Sequence, residues 1–238
     1  MIDISDLYVA FGGLTALNRI NVKLDAPVVG VIGPNGAGKT TFLNSLSGFV
    51  RPQSGRVVAF GTSLLDLPPH RRARWGLRRS FQKEQVVDEI SVEDNIGVVL
   101  DPLGLSRGER EKALTAAFEF AGLSGLRKAK AAELNAFERR MTELARCVVG
   151  APRVIMLDEP GAGFSQGEVS RLRDFILGIA AFNGAMTLLI DHDVDLIRTV
   201  CVNTMVLDFG ILIAHDATEA VMADARVRAV YLGVEEAA

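Results

Sequence analysis

The octapeptide Gly33–Thr40 constrains the fold of this chain more than any other part of the sequence. It reads Gly-Pro-Asn-Gly-Ala-Gly-Lys-Thr and follows the continuous apolar run Val28–Ile32. Such a run is typical of a strand buried on both faces, and a helical pattern over residues 41–47 follows the octapeptide and stops at Gly48. Glycines at these spacings let several backbone N–H groups point toward one anion at the start of a helix. The sequence therefore predicts a phosphate-binding loop within a parallel α/β core.

The side chains at the end of this loop predict a nucleoside triphosphate bound together with a divalent cation. Lys39 supplies a positive charge for the β- and γ-phosphates, and Thr40 supplies a hydroxyl ligand for Mg²⁺. The residues expected to contact the nucleotide are Gly33, Pro34, Asn35, Gly36, Ala37, Gly38, Lys39, Thr40 and Thr41.

A second apolar run ends in two acidic residues, Asp158 and Glu159, followed by Pro160. The run Arg153–Leu157 predicts a core strand, and ligands of α/β proteins bind at the carboxyl ends of such strands. There we expect Asp158 to hold Mg²⁺ through water. We expect Glu159 to orient or deprotonate the water that attacks the γ-phosphate.

Two further polar residues become candidates because the phosphate loop is present. His192 follows the apolar run Thr187–Ile190, which predicts a third core strand, and it can hydrogen-bond a γ-phosphate there. Gln82 follows a basic stretch and is expected to contact Mg²⁺ or the attacking water. By itself, either residue would be unremarkable.

The order of elements along the chain predicts an α/β core interrupted by a helical insertion. Strand-like runs occupy the first third of the chain and return in the last third. Between them, Ser91 and Ser106 each begin a capping-box pattern, and no convincing strand pattern occurs. We expect residues 1–82 and 150–238 to form the core and residues 83–149 to form the helical insertion.

Composition excludes several classes of protein. The 238 residues contain 26 Lys and Arg against 29 Asp and Glu, a net charge of −3, which argues against electrostatic binding of DNA or RNA. The sequence shows no signal-peptide pattern and no apolar run near the ~18 residues of a membrane span. Cys147 and Cys201 predict buried thiols in a reducing compartment. The cluster His70–Arg74, with Arg78 and Arg79, predicts a solvated, helix-capping stretch.

Taken together, these motifs resemble the ATP-binding subunit of ABC transporters over essentially the whole chain. The resemblance rests on the phosphate loop, Gln82, the strand ending in Asp158-Glu159-Pro160, and His192, in the order and spacing of that family. It implies a RecA-like P-loop NTPase core with an N-terminal antiparallel β subdomain and an inserted all-helical subdomain. It also implies ATP hydrolysis with Mg²⁺, and an aromatic ring, Phe11 or alternatively Tyr8, that stacks on adenine.

Shorter segments are similar to the ATPases of branched-chain amino acid importers, with urea and short-amide importers as a close sister group. These segments are Phe11–Leu17, Arg79–Gln82, Ser91–Asn95 and Ala229–Gly233. The likeness implies permease subunits, a second and non-identical ATPase subunit, and indirectly a solute-binding protein as partners, with no nucleic acid. It implies a peripheral position on the cytoplasmic side of the cell membrane, and the mean hydropathy of +0.25 agrees with docking on an apolar partner.

One stretch departs from the family pattern. Resemblance implies a Leu-Ser-Gly-Gly-Gln motif that closes over the ATP of the partner subunit, and this chain has Leu-Asn-Ala-Phe-Glu instead. Asn135 keeps a polar group, whereas Phe137 replaces a glycine and adds bulk where the main chain must approach a triphosphate. Glu138 adds negative charge near the same anion. We therefore expect an asymmetric heterodimer whose competent site uses Lys39, Asp158, Glu159 and His192 of this chain.

Two other functions stay open. The altered stretch Asn135–Glu138 suits a regulatory subunit that holds ATP and barely hydrolyses it, although the intact Glu159 and His192 argue against this. A non-transport ABC ATPase acting on DNA or ribosomes usually has paired ATPase domains or long coiled-coil insertions, and the sequence shows neither. The alanine-rich end, Glu235–Ala238, is expected to be frayed.

Overall fold

A computed structural model describes residues 1–232 of the chain. Its strands are β1 (Ile2–Phe11), β2 (Leu14–Leu24), β3 (Val28–Ile32), β4 (Ser54–Ala59), β5 (Thr62–Ser63), β6 (Leu77–Arg79), β7 (Val154–Asp158), β8 (Met186–Ile190), β9 (Asn203–Asp208) and β10 (Ile211–Ala217). Its α-helices are α1 (Lys39–Ser47), α2 (Pro69–Trp75), α3 (Val92–Gly97), α4 (Arg107–Ala121), α5 (Ala136–Val148), α6 (Gln166–Asn183), α7 (Val194–Val200), α8 (Thr218–Ala223) and α9 (Ala225–Val227). The expected fraying of Glu235–Ala238, and Gly233 of the importer-like segment, lie outside the described residues.

These elements group into two units. The first comprises Met1–Ala73 and the described residues from Leu188 onward, and the second comprises Arg74–Thr187. The expected helical insertion, residues 83–149, lies wholly within the second unit, and its status as a separate subdomain stays a prediction. Within residues 1–232, the structure contains no helix both long and apolar enough to cross a membrane.

The first unit contains the expected N-terminal antiparallel sheet. Its strand order is β2-β1-β4-β5, and Ile2 of β1 pairs with Leu24 of β2 and with Ala59 of β4. Apolar and polar residues alternate along β2, so that Leu17, Ile20 and other apolar side chains are buried while their neighbours are exposed. One face of this sheet therefore covers the core, as is common for antiparallel sheets.

A parallel pair of strands leads to the phosphate loop in the same unit. β3 pairs in parallel with β9, and β9 forms an antiparallel hairpin with β10. All five residues of β3 are buried, which explains why its sequence is a continuous apolar run. α1 follows the loop and ends at Gly48, as the sequence predicts, although it begins at Lys39 rather than two residues later.

The second unit combines a parallel strand pair with packed helices. β6 pairs in parallel with β7, and α5 packs on α3, α4 and α6. The capping box predicted at Ser106 is present, because its hydroxyl accepts the amide of Glu109 and the Glu109 carboxylate accepts the amide of Ser106. Residues 83–149, all of them described, contain helices and turns but no strand. The antiparallel sheet, the parallel strand pairs and these helices confirm the P-loop NTPase architecture predicted from the sequence.

The basic stretch after His70 is buried at three of its arginines, so the prediction of a solvated stretch was wrong there. Arg72 is 5% exposed and donates to the carbonyls of Ser45 and Leu46 at the end of α1, at 2.7 and 2.8 Å. It therefore caps a helix, as expected, but from inside the unit. Arg78 is 7% exposed, and the side chain of Arg79 is 5% exposed. Buried cations of this kind need acceptors close by, because desolvation is costly.

Three more titratable groups are shielded from water. Burial raises the pKa of Cys147 to about 12 and that of Cys201 to about 12, and both thiols are buried as the sequence predicts. His215 on β10 is half-buried, and its Nε2 atom has no hydrogen-bond partner in the described chain. Burial lowers the pKa of His215, while the charges of Asp25 and Asp216 act in the opposite direction.

Candidate nucleotide site

The phosphate loop is packed tightly into the first unit. A Cβ atom on Gly33, whose φ is +147°, would lie 2.0 Å from the carbonyl oxygen of Leu207. The amide of Gly210 donates to the carbonyl of Ala37 at 3.0 Å. The end of β9 and the β9–β10 turn therefore fix the course of the loop.

Lys39 turns back over the loop that precedes it. Its side chain is largely buried, and Nζ donates to the carbonyl oxygens of Gly33 at 2.7 Å and Pro34 at 2.9 Å. The ammonium group and the N-terminus of α1 place positive charge at the same end of the loop, which favours an anion there. Thr40 is exposed and Thr41 half-buried. The structure brings all nine predicted loop residues together, and their contacts with a nucleotide stay a prediction.

Phe11 is more accessible than Tyr8 as a surface for stacking. Phe11 is 51% exposed at the end of β1, whereas Tyr8 is half-buried. The side chain of Gln53 donates to and accepts from the main chain of Ala10, both at 2.9 Å, and so fixes the strand beside Phe11. Sequence reasoning missed Gln53, because a glutamine in a turn gives no signal of a partner more than 40 residues away.

His192 is exposed, directly beyond the end of β8. The buried Asp191 accepts the amide of Asp193 at 3.0 Å, and the Asp193 carboxylate accepts the amides of Asp195 and Leu196 at the start of α7. These bonds hold the main chain on both sides of His192. The imidazole is thus presented from a fixed backbone in the first unit.

Asp158 lies at the end of β7 in the second unit and is 2% exposed. Its Oδ2 atom accepts from Nη2 of Arg79 at 2.9 Å, and its amide donates to the hydroxyl of Ser80 at 3.2 Å. Its Oδ1 atom is buried and has no hydrogen-bond partner in residues 1–232. Since an unsatisfied buried oxygen is costly, this carboxylate is suited to a cation or its water shell. Sequence reasoning missed Arg79, which it placed in solvent.

Glu159 follows in an uncommon backbone conformation. Its φ is +51°, a value that non-glycine residues seldom adopt, and it is half-buried next to the buried Pro160. Such conformations cost about 1–3 kcal/mol and cluster at active sites. Gln82 belongs to the same unit and is exposed three residues after Arg79.

The start of α5 is the stretch that departs from the family motif. Asn135 accepts the amide of Glu138 at 2.9 Å, and the Glu138 carboxylate accepts the amide of Asn135 at 3.0 Å, which forms a capping box. Phe137 is 5% exposed; its ring lies 5.0 Å from that of Phe164, with the guanidinium of Arg171 above it. Apolar burial thus turns Phe137 inward in the single chain, and the bulk expected from it near a partner's triphosphate stays a prediction.

A phosphate loop between a buried strand and a helix, followed later by a strand that ends in two acids, defines a P-loop nucleotide-binding protein. The family model described as ABC transporter matches residues 17–162. The chain therefore belongs to the ABC transporter family, and within it the chain is an ATP-binding, ATP-hydrolysing subunit.

Curated relatives and solved structures match nearly the whole chain. The high-affinity branched-chain amino acid transport ATP-binding protein BraF of Pseudomonas aeruginosa is 33% identical over 98% of each chain. The lipopolysaccharide export system ATP-binding protein LptB of Acidithiobacillus ferridurans is 36% identical over 87% of this chain and 85% of that protein. The ADP conformation of MJ1267, an ATP-binding cassette of an ABC transporter, superposes with a TM-score of 0.86 at 28% identity, covering 98% and 99% of the two chains.

Proposed function

We propose that this chain powers an importer of branched-chain amino acids or of a related small solute such as urea or a short amide. It would sit at the cytoplasmic face of the membrane, bound to permease subunits that receive solute from a binding protein. The observation that supports this most is the similarity to BraF over 98% of both chains. Similarity to LptB, whose name refers to lipopolysaccharide export, shows that related cassettes serve other cargo.

The roles that we propose for the site residues follow from their chemistry. Lys39 and the loop amides bind the β- and γ-phosphates of ATP, and Phe11 stacks on adenine. Glu159 accepts a proton from the water whose oxygen bonds to the γ-phosphorus, while the bond from that phosphorus to the bridging oxygen breaks. His192 hydrogen-bonds the γ-phosphate, and ADP and inorganic phosphate leave.

Thr40, Gln82 and Asp158 are the residues that we propose to hold Mg²⁺. The unpartnered, buried Oδ1 atom of Asp158 fits such an ion. Within residues 1–232, no group of three His, Cys, Asp or Glu side chains forms a metal cage. This suits Mg²⁺, which usually takes most of its ligands from phosphates and water. When bound, the ion neutralises charge that develops on the phosphates.

We propose that the helical insertion at 83–149 passes the movement of the ATPase to the permease, with residues 82–96 as the contact surface. Two apolar side chains of this segment support the proposal, because Val87 is 50% exposed and Ile90 is 37% exposed. Exposed apolar side chains close together are typical of interaction sites.

An asymmetric pair with a second, non-identical ATPase subunit is our proposal for the working assembly. Its support is the start of α5, where the Glu138 carboxylate accepts the amide of Asn135 and adds negative charge where the family closes on a partner's triphosphate. The competent site would use this chain's Lys39 and Glu159, closed by an intact motif from the partner.

Replacing Glu159 with glutamine distinguishes this function from a regulatory one. The change keeps size and hydrogen bonding but removes the base. In cells that contain the importer, Glu159→Gln should abolish solute uptake while ATP binding by the purified variant is retained. Uptake at the wild-type rate would favour the regulatory subunit that the altered stretch Asn135–Glu138 suggests.

The asymmetry is tested by disabling one subunit at a time. ATP turnover by the mixed pair should largely survive when the partner's own catalytic glutamate is replaced by glutamine, and it should be lost with Glu159→Gln of this chain. Equal losses from both replacements would contradict the asymmetric site.

A further inference from the structure

The segment that joins β6 to α3 contains neither helix nor strand, so its main-chain groups need other partners. Asn95 of α3 binds the amide and carbonyl of Val87, and two side chains of α5 bind the segment nearer β6. Arg140 donates from Nη1 to the carbonyl of Phe81 and from Nη2 to the carbonyl of Gln82, both at 2.6 Å. The Oε1 atom of Glu143 accepts the amide of Phe81 at 3.3 Å and that of Gln85 at 3.2 Å. Four hydrogen bonds from these two side chains therefore hold the main chain of this segment to α5.

Arg140 and Glu143 also form a buried ion pair with each other. Nη1 of Arg140 lies 2.7 Å from Oε2 of Glu143, and their side chains are 7% and 0% exposed. Burial raises the pKa of the Glu143 carboxyl, and the charge of Arg140 opposes that shift. Buried ion pairs are often no more stabilising than apolar pairs of the same volume. The planar guanidinium, however, reaches two adjacent carbonyls in a fixed geometry, which an apolar side chain cannot do.

Gln82 combines a fixed main chain with an accessible side chain. Its carbonyl is held by Arg140, and the preceding residue is held at both its amide and its carbonyl. Gln82 itself is exposed to solvent. The arrangement fixes where the amide group starts and leaves the group itself available to a ligand.

We infer that Arg140 and Glu143 are positioning residues for hydrolysis, which act by holding the main chain of Gln82 so that its side chain meets the bound Mg-ATP. The inference rests on the role proposed for Gln82. It assigns to α5 a function within the catalytic site of its own chain, in addition to any contact with a partner subunit.

A double-mutant cycle with Gln82 tests this inference in the full chain. Lysine in place of Arg140 keeps the charge but cannot span both carbonyls. Arg140→Lys should lower kcat by about tenfold or more, because small displacements of a catalytic group are costly, and should leave the KM for ATP within about twofold. In a Gln82→Ala background the same change should have no further effect.

Arg139 provides the matched control on the same helix. It pairs with Glu84 at 3.3 Å and Asp88 at 2.6 Å and has no contact with the main chain of Gln82. Arg139→Lys should therefore leave kcat near the wild-type value. Glu143→Gln is the second variant, since it keeps the size of the side chain and removes the ion pair.

Hydrogen exchange gives a readout that does not depend on turnover. The amides of Phe81 and Gln85 should exchange faster in Arg140→Lys and Glu143→Gln than in Arg139→Lys. Unchanged exchange in both would overturn the inference. If Arg140→Lys lowers kcat by the same factor in the wild-type chain and in the Gln82→Ala background, Arg140 has only a structural role. That result would also overturn the inference. Wild-type turnover in Gln82→Ala would instead overturn the role proposed for Gln82, and the inference with it.

Discussion

Substituting alanine at two glycines of the phosphate loop separates tight packing from backbone conformation. A Cβ atom at Gly33 would lie 2.0 Å from the carbonyl oxygen of Leu207 and 3.1 Å from the Cβ of Ala37. At Gly36, whose φ is +81°, an added Cβ meets nothing within 4 Å. Both substitutions place alanine at a positive φ, but only Gly33→Ala forces two backbone segments apart.

The expected magnitudes follow from these two terms. Backbone strain costs about 1–3 kcal/mol at either position. Gly33→Ala adds about 1–3 kcal/mol for overpacking, because β3 and β9 must separate by more than an ångström at this point. We therefore expect the free energy of unfolding to decrease by about 2–6 kcal/mol in Gly33→Ala and by about 1–3 kcal/mol in Gly36→Ala.

Urea titration of both variants, followed by circular dichroism, measures the difference in unfolding free energy. A fluorescent ATP analogue then reports binding by each variant under conditions where it is folded. Gly33→Ala should lose most of its affinity, because the loop amides shift with the backbone. If both variants lose the same stability within about 0.5 kcal/mol, the tight contact with Leu207 does not shape the loop and the reasoning fails.

Three further predictions concern groups outside the loop. Arg79→Met should lower the free energy of unfolding, measured by urea titration, by about 3–5 kcal/mol, because it leaves the buried carboxylate of Asp158 unpaired. The control Arg110→Met removes an exposed ion pair and should lower it by at most about 1 kcal/mol. The pKa of His215 is lowered in the fold, so the unfolded chain binds the proton more readily. The free energy of unfolding, measured by urea titration, should therefore decrease as the pH falls through the ordinary histidine pKa of about 6.5. In His215→Gln this decrease should be smaller. Cys147 and Cys201 should resist a thiol reagent at pH 8 in the native chain and react at once in urea, since their pKa values are about 12.

Strands, helix ends and caps that depend on neighbouring residues could be predicted from the sequence. The apolar run of β3, the helix stop at Gly48 and the capping box at Ser106 each depend on a few neighbouring residues, and all are present. At Ser91 the hydroxyl caps α3, although the box is not reciprocal.

Features that depend on distant partners could not be predicted. Arg79 belongs to a basic stretch of the kind that is usually exposed to solvent. Its contact with Asp158, 79 residues later in the chain, explains why its side chain is buried. The packing of Phe137 likewise depends on two residues far along the chain, because its ring lies against that of Phe164 and under the guanidinium of Arg171. Local sequence patterns indicate helices, strands and caps, but they do not show which distant residue contacts a given charged or aromatic side chain.

The turnover of Mg-ATP by the purified chain, alone and mixed with its partner ATPase subunit, distinguishes an asymmetric catalytic pair from a regulatory subunit. We expect weak ATP turnover by the chain alone and a strong rise on mixing, because the phosphate loop and Glu159 of this chain would then be closed by an intact partner motif. Tight binding of ATP without turnover in either case would contradict it and identify the chain as a regulatory subunit.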